Sequence, residues 1–259
     1  MSEVTDRAAE LNRHAWDSLR RQRDEGLVDL QPLIHPDAVP TMLAQAPDNI
    51  IVDDLTPEMI RKYVGDIKDK RVLDMGCGYG LSTVQWALAG ARAVGVDNSG
   101  KQLEAAKKNA DIVGIDCRFV RADLLRMPKD LLNGTFDLAY SSGGVKNWIG
   151  DLQRWFANVY KALRPGGIYL LHDGHPCFIW KTGEPQRESY FDEGPFIEKE
   201  GITDWNPAGD DITVIYWCHT VASLITAVGQ SGLRITHLLE FPDDSGKDPD
   251  FLLLRAVKD

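Results

Sequence analysis

Cysteine is scarce and scattered in this chain of 259 residues. The four cysteines lie far apart and form no Cys-x-x-Cys pair: Cys77, Cys117, Cys177 and Cys218. Such spacing is typical of neither a disulfide framework nor a zinc site. We therefore predict a protein of a reducing compartment that needs no metal.

Basic residues are also in deficit. Lys and Arg number 29 against 39 Asp and Glu, which gives a formal net charge of −10. Because contacts to nucleic-acid phosphates come from Lys and Arg, this balance argues against a general nucleic-acid binder. No apolar run approaches the roughly 20 residues of a membrane-spanning helix, and charges interrupt the first 24 positions. We expect a soluble, cytoplasmic protein that binds neither nucleic acid nor membrane.

The middle of the chain, residues 70–173, alternates predicted strands and helices. Apolar runs predict strands at 71–75, 93–96, 117–120, 136–140 and 167–171. Helical spacing predicts helices at 81–89, 101–113 and 151–163. This alternation indicates βαβ units and a parallel sheet whose strands are buried on both faces.

The flanking zones have a different pattern. Residues 1–69 are predicted to form a helical cap, with helices at 8–23 and 57–63 around a proline-punctuated segment. Residues 174–218 follow the fifth predicted strand; they are rich in Gly, Pro and aromatic residues, and we predict a substrate lid there. The main domain is predicted to span 70–259.

The chain is predicted to end in an antiparallel hairpin. A strand-like run at 212–217 and a helix at 222–230 are followed by two apolar runs, 233–239 and 251–257, joined by an acidic turn. No helical pattern separates these two runs, so we expect them to pair as adjacent antiparallel strands.

A glycine cluster directly follows the first predicted strand. Gly76, Gly78 and Gly80 form Gly-x-Gly-x-Gly, which allows a sharp turn and a close approach of a ligand to the backbone. A dinucleotide fingerprint needs Gly-x-Gly-x-x-Gly, and a phosphate loop ends in Gly-Lys-Ser/Thr, so neither pattern is present. Asp74, just before the loop, suits a positively charged ligand better than a phosphate.

Two further acids follow neighbouring strands. Asp97 ends the second predicted strand, where a carboxylate can accept hydrogen bonds from both ribose hydroxyls. Asp123 follows the third, placed to accept from an exocyclic amine, with Leu124 against a flat ring. These positions predict a nucleoside lying across the carboxyl ends of the strands.

The chain resembles the class I S-adenosylmethionine-dependent methyltransferases. The resemblance rests on a glycine-rich motif, a ribose-binding acidic segment, an adenine-contacting segment, a fourth strand and the turn before a fifth, at 72–80, 95–99, 122–124, 136–142 and 163–167. It covers residues 70–173 firmly and the closing helix and hairpin more loosely. Five motifs in this order make a specific signature, although each alone is weak.

The resemblance implies a Rossmann-like, doubly wound α/β fold with a seven-stranded, mostly parallel sheet. Its strand order would be 3-2-1-4-5-7-6, with strand 7 antiparallel. It implies S-adenosyl-L-methionine as cofactor, bound by Asp74, Gly76, Cys77, Gly78, Asp97, Asn98, Asp123, Leu124 and Ser141. Cys77 is expected there as a small residue rather than a nucleophile.

Three histidines are the candidate catalytic bases, because histidine titrates near neutral pH. His175 is the first choice and His172 the second, since both leave the fifth predicted strand over the expected methyl group. His219, before the last predicted helix, is the third. For each, an ordinary structural role is the competing interpretation.

The substrate is predicted to be a small molecule, methylated on N or O. The lid is rich in aromatic residues: Phe178, Trp180, Tyr190, Phe191, Phe196, Trp205, Tyr216 and Trp217. It also carries acids that would favour a cationic amine or form a solvated face: Glu184, Glu188, Asp192, Glu193, Glu198 and Glu200. Ser141-Ser142-Gly143-Gly144 replaces the motif of amino-directed DNA methyltransferases. A homodimer stays open.

Three alternatives remain. The fold can host a cofactor-binding protein with other chemistry, such as a cyclase. A nicotinamide oxidoreductase is disfavoured by the Gly-x-Gly-x-Gly spacing, and a non-catalytic partner subunit is disfavoured by the intact motif set. In the amino-terminal zone, Trp16 either closes the cofactor pocket or packs within its helix.

Overall fold

The fold centres on one large sheet flanked by helices. The computed structural model describes residues 3–27, 33–177, 188–199, 206 and 208–259. The seven strands of this sheet are β1 (Arg71–Met75), β2 (Arg92–Asp97), β3 (Arg118–Arg121), β4 (Phe136–Ser142), β5 (Leu163–Gly174), β8 (Leu233–Pro242) and β9 (Pro249–Lys258). Two short strands form a separate antiparallel pair, β6 (Phe196–Glu198) and β7 (Val214–Tyr216).

Among the residues that the structure describes, the α-helices with assigned bounds match the predicted set and add one. They are α1 (Glu3–Asp24), α2 (Val39–Gln45), α3 (Pro57–Tyr63), α4 (Leu81–Leu88), α5 (Gly100–Val113), α6 (Leu152–Ala162) and α7 (Val221–Gln230). Helix α5 begins where Ser99 accepts a hydrogen bond from the Gln102 amide, the cap that the sequence predicts. No helix among the described residues is both long enough and apolar enough to cross a membrane.

The strand order is β3-β2-β1-β4-β5-β9-β8. Strands β8 and β9 are the sixth and seventh of this sheet, and β9 is antiparallel to both neighbours. The predicted fold class and the order 3-2-1-4-5-7-6 are therefore confirmed. Strand β5 begins at Leu163 rather than at residue 167, because Leu163 pairs with Phe136 across an irregularity in register.

The sheet is covered on both faces, as its apolar strands predict. Neighbouring residues of β1 illustrate this: Val72 packs with α3, α4 and α5, whereas Leu73 packs with α6 and α7. Successive side chains of a strand point to opposite faces, so each strand feeds both cores. At the centre of one core, Trp155 and Tyr169 meet edge to face with ring centroids 6.3 Å apart.

Helix α1 lies apart from the main cores, at the carboxyl edge of the sheet. It packs on α5 and on β7, whose apolar side chains form two small clusters with it. The Asn12 amide pairs with the backbone of Ile215 in both directions, at 2.7 and 2.8 Å. Helix α3, by contrast, packs into the main core through Ile60 and Tyr63. The first 69 residues therefore pack against two different regions of the fold. The predicted domain boundary at residue 69 stays a prediction.

Candidate functional site

The glycine loop turns sharply between β1 and α4. Gly76, Gly78 and Gly80 all have positive φ angles, at 89°, 50° and 78°. A Cβ on Gly76 would come within 2.3 Å of a Val145 methyl, and one on Gly80 within 2.6 Å of the Ala106 Cβ. A Cβ on Gly78 would meet nothing within 4 Å. Crowding therefore excludes a side chain at the first and third glycines, while the middle one borders open space.

Asp97 links the loop to the end of β2. One carboxylate oxygen accepts from the Gly78 amide at 2.9 Å and the other from the Ser99 amide at 2.8 Å. Burial raises the pKa of Asp97, and these backbone donors offset part of that rise. Asp97 is half-buried and lines a cavity. Its carboxylate is thus fixed by the backbone at the border of that cavity.

Asp123 lies across the same cavity. Its carboxylate accepts from the Leu125 amide at 2.9 Å, which fixes the short turn after β3. Leu124 and Leu125 line the cavity beside it and are themselves buried. An acceptor next to an apolar wall is the arrangement expected for a flat heterocycle with an exocyclic amine.

The cavity collects six of the nine predicted cofactor residues. They are Gly76, Gly78, Asp97, Asn98, Asp123 and Leu124. The sheet edge supplies them because the carboxyl ends of parallel strands meet there. Their roles as cofactor contacts stay predictions, but the structure brings all six to one place.

Helix α1 forms the opposite wall, which the sequence interpretation largely missed. Five of its residues line the cavity: Thr5, Ala9, Asn12, Arg13 and Trp16. Their spacing is that of one helical face, which is the signal that could have found them. The Asn98 amide donates to the Ala9 carbonyl at 2.7 Å, and the Ser99 hydroxyl donates to Asp17 at 2.6 Å. These bonds hold α1 against the ends of the strands.

Tryptophans close the cavity further. Trp16 meets Trp148 edge to face, with ring centroids 5.3 Å apart, and both line the cavity. Trp217, from the predicted lid, also lines it and packs closely over Gly150. Of the other predicted lid aromatics, Phe178, Trp180 and Trp205 lie outside the described residues. Phe191 is 82% exposed, so this ring covers no site in the structure.

Three predicted cofactor residues do not line the cavity. Asp74 is buried and accepts from the hydroxyls of Ser82 and Thr83 at 2.7 and 2.5 Å. Burial raises its pKa to about 7, although the two hydroxyls lower it. Cys77 and Ser141 are also buried. All three are buried, and their role as cofactor contacts stays a prediction.

His172 and His175 also lie away from the cavity. His172 is buried and stacks on Phe251 of β9, with ring centroids 5.5 Å apart. Burial lowers its pKa. The Nδ1 of His175 accepts from the Cys177 amide at 3.1 Å, and its Nε2 lies 2.9 Å from a Glu240 carboxylate oxygen. Both histidines thus have structural partners: His172 stacks on β9, whereas the ring of His175 bonds to Cys177 and to Glu240 of β8.

His219 lies in a second cleft beside the cofactor cavity. Its Nε2 lies 2.7 Å from the Ile149 carbonyl oxygen, and its Nδ1 lies 3.9 Å from a Glu193 carboxylate oxygen. Burial lowers its pKa, more than its carbonyl and Glu193 contacts raise it. Among the three predicted bases, only His219 lines one of these two spaces in the described part of the chain. Its role as a base stays a prediction.

A buried ion pair between β4 and β5 was not predicted. Lys146 lies 3.1 Å from Asp173, with 3% and 2% of the two side chains exposed. The same Asp173 oxygen accepts from the Gly144 and Gly174 amides at 2.9 and 2.7 Å. Lys146 follows a Ser-Ser-Gly-Gly turn and carries no sequence signal of burial. Together these bonds hold the turn after β4, whose Gly143 and Val145 line the cofactor cavity.

The cavity fits a sulfonium nucleoside with an amino-acid tail. Its carboxylates suit ribose hydroxyls and an exocyclic amine, its leucines suit a flat ring, and the open side of Gly78 admits a close approach to the backbone.

In the parts of the chain that the structure describes, no three His, Cys, Asp or Glu side chains form a metal-ligating group.

Comparisons with known proteins point the same way. A family model described as a methyltransferase domain matches residues 72–167. Residues 72–167 form a class I methyltransferase domain. S-adenosylmethionine is the cofactor of this family, so the predicted family and cofactor are confirmed.

The curated relatives of this methyltransferase domain differ in the activity that their names describe. An uncharacterized methyltransferase of Synechocystis is 35% identical over 117 residues, covering 45% of this chain and 52% of that protein. A sterol 24-C-methyltransferase of Pneumocystis carinii is 29% identical over 132 residues, covering 50% and 34%. The chain thus spans about a third to a half of these curated relatives.

A solved structure covers more of the chain. An S-adenosylmethionine-dependent methyltransferase from Mesorhizobium loti superposes with a TM-score of 0.61 at 29% identity. It covers 77% of this chain and 96% of its own. The similarity therefore extends beyond residues 72–167 to much of the remaining fold.

Proposed function

We propose that this chain transfers a methyl group from S-adenosylmethionine to a small molecule. The observation that carries the proposal is the convergence of Gly78, Asp97 and Asp123 on one cavity at the carboxyl edge of the sheet. A chain that merely kept the fold would not need two carboxylates and an open glycine at one point. When bound, the cofactor supplies a methyl group already activated for in-line displacement.

In this proposal each cavity residue has a defined part. Asp97 accepts from the ribose hydroxyls while the Gly78 and Ser99 amides hold its carboxylate. Asp123 accepts from the adenine amine beside Leu124. Gly78, which borders open space, leaves room for the methionine part, and Gly76 lines the same cavity. Because these groups are fixed before binding, little ordering is needed when the ligand arrives.

Helix α1 excludes water from the bound cofactor. Its Trp16 and the facing Trp148 close one side of the cavity, and Asn98 ties the helix backbone to the end of β2. The enzyme's main task is then to align the substrate nucleophile and keep solvent away. Two residues of the region predicted as a lid, 174–218, line the spaces next to the cofactor: Trp217 lines the cavity and Glu193 lines the adjoining cleft.

The proposal does not specify which atom of the small molecule receives the methyl group. Transfer to N or O stays a prediction, since the name of one relative describes a C-methyltransferase. His219 remains the candidate base, while the buried contacts of His172 and His175 favour structural roles for them. A cytoplasmic location, the absence of nucleic-acid substrates and a homodimer also stay predictions.

The proposal is tested in two steps. Calorimetric titration with S-adenosylmethionine and S-adenosylhomocysteine should show saturable binding of both. Incubation with panels of amines, phenols and carboxylic acids should then produce S-adenosylhomocysteine with at least one of them. Failure of both cofactors to bind would overturn the proposal. Cofactor binding with a chemically changed substrate but no demethylated cofactor would favour the alternative of a cyclase on this fold.

A further inference from the structure

A second cleft adjoins the cofactor cavity. Thr5 and Gly150 line both spaces, so a molecule in the cleft lies next to the cofactor. The cleft lies between the start of α6 and one face of α7 that runs from Ala222 to Gln230. Its charged or titratable lining residues are Asp151, Glu193 and His219. Glu193 and His219 each have one acceptor atom to which no described residue donates a hydrogen bond.

Only one carboxylate oxygen of Glu193 accepts hydrogen bonds from described residues. Its Oε1 accepts from the Thr220 amide at 3.0 Å, from the Thr220 hydroxyl at 2.7 Å and from the Ser223 hydroxyl at 2.5 Å. Burial opposes ionisation, but these donors outweigh it and lower the pKa of Glu193. The carboxylate is therefore charged. Its Oε2 accepts no hydrogen bond from any described residue.

His219 is fixed in a similar way. A carbonyl oxygen can only accept, so the Nε2 that lies 2.7 Å from the Ile149 carbonyl must carry a hydrogen. The neutral ring then has a lone pair at Nδ1. This Nδ1 faces the Oε2 of Glu193 across 3.9 Å, which is too long for a hydrogen bond. Two acceptors thus face each other, and no described residue places a donor between them.

The surrounding charges favour a cation in this gap. Glu193 and Asp151 are the charged residues of the cleft wall. The positive charge of Lys146 lowers the pKa of His219, in addition to the larger effect of burial. Its ammonium is already paired with the buried Asp173 at 3.1 Å, so it does not neutralise Glu193.

We infer that Glu193 and His219 bind an ammonium group of the substrate, which makes that substrate an amine-bearing small molecule. The inference rests on the proposed function. An ammonium nitrogen about 2.9 Å from each acceptor spans the gap and donates to both. Each bond involves a charged partner, and such bonds are about twice as strong as neutral ones. The two residues set substrate specificity and hold the substrate beside the cofactor cavity.

The test compares Glu193→Gln with Glu188→Gln. Glutamine keeps an acceptor for Thr220 and Ser223, but it places its own amide hydrogens towards the Nδ1 of His219 and so fills the site. Glu188 is exposed and lies in the same segment, so its variant makes the same charge change away from the cleft. Benzylamine is the probe and benzyl alcohol its neutral counterpart, each titrated by NMR with and without S-adenosylhomocysteine.

We expect benzylamine to shift the His219 ring nitrogens and to bind at least tenfold more weakly to Glu193→Gln than to the wild type. Glu188→Gln should bind it as the wild type does, and benzyl alcohol should bind weakly to all three. Equal benzylamine affinity in the wild type and Glu193→Gln would overturn the inference. So would a free protein in which both ring nitrogens of His219 are protonated at pH 7.5.

Failure of the inference is distinguishable from failure of the proposed function. If S-adenosylmethionine binds and methyl groups reach only substrates without an amine, the inference fails while the proposed function stands. If neither cofactor binds, the proposed function fails whatever benzylamine does. Thermal unfolding of Glu193→Gln, expected to match Glu188→Gln within a few degrees, shows that the cap of α7 is intact.

Discussion

The two ends of the sheet's carboxyl edge differ in what their polar residues do. At the ends of β1, β2 and β3, glycines and aspartates leave a cavity between them. At the end of β5, His172 and His175 are buried against β8 and β9. The first end lacks side-chain bulk and has backbone donors for its acids, whereas the second is covered by an antiparallel strand. A polar residue at a strand end is thus available to a ligand only where no neighbouring strand extends past it.

The largest effect is expected from Gly76→Ala. The new Cβ would meet Val145 at 2.3 Å and would hold a φ of +89°, so the variant should lose about 3 kcal/mol of stability and its cofactor binding. Gly114→Ala is the control, since its φ is +74° but nothing lies within 4 Å of the added Cβ. It should lose about 1 kcal/mol and bind normally. Equal losses in denaturant unfolding would show that crowding at the cavity is unimportant.

Asp97→Ala tests the open end more directly. Loss of the carboxylate should weaken cofactor binding about 100-fold, because two charge-assisted hydrogen bonds to the ligand disappear. Calorimetric titration measures this, with the exposed Asp116→Ala as the control. Unchanged affinity for S-adenosylmethionine would remove Asp97 from the site.

His175→Ala probes the closed end. It should lower the free energy of unfolding by about 2 kcal/mol, because the bonds to Cys177 and Glu240 are lost, and leave cofactor affinity unchanged. Denaturant unfolding and calorimetry measure the two quantities, with the exposed His237→Gln as the control. A variant that keeps its stability but transfers no methyl group would restore His175 as a base.

The smallest effect is a pH dependence from His172. Burial lowers its folded pKa below the usual 6.5, so the unfolded chain binds more protons between these two values. The contribution of His172 to stability is therefore present above pH 6.5 and lost as the pH falls through that window. His172→Phe keeps the stacking on Phe251 and should unfold at a midpoint that changes less between pH 7 and pH 5. A wild type and variant with parallel pH profiles would contradict this.

Local patterns predicted where the polar residues of the open end lie. Asp97 and Asp123 follow apolar runs, and glycines follow β1, so their positions at strand ends are visible in the chain itself. Local patterns could not show that His172 and His175 are covered, because the covering of that strand end depends on β9, about 80 residues further along. Their role as bases stays a prediction. The lining of the cavity by α1 was predictable in part, since the residues that line it share one helical face. The pairing of Glu193 with His219 had no local signal, because 26 positions separate them.

By itself the sequence determined the alternation of strands and helices, the glycine turn and the acids that flank it, because these follow from local periodicity, from φ angles that only glycine tolerates easily and from the common edge of parallel strands. The strand order followed from the family resemblance. Only the tertiary structure decided which polar groups face open space. That outcome depends on contacts between distant segments: β9 against β5, α1 against β7, and Glu193 against His219. A histidine's availability to a ligand is a property of what covers it, and what covers it comes from elsewhere in the chain.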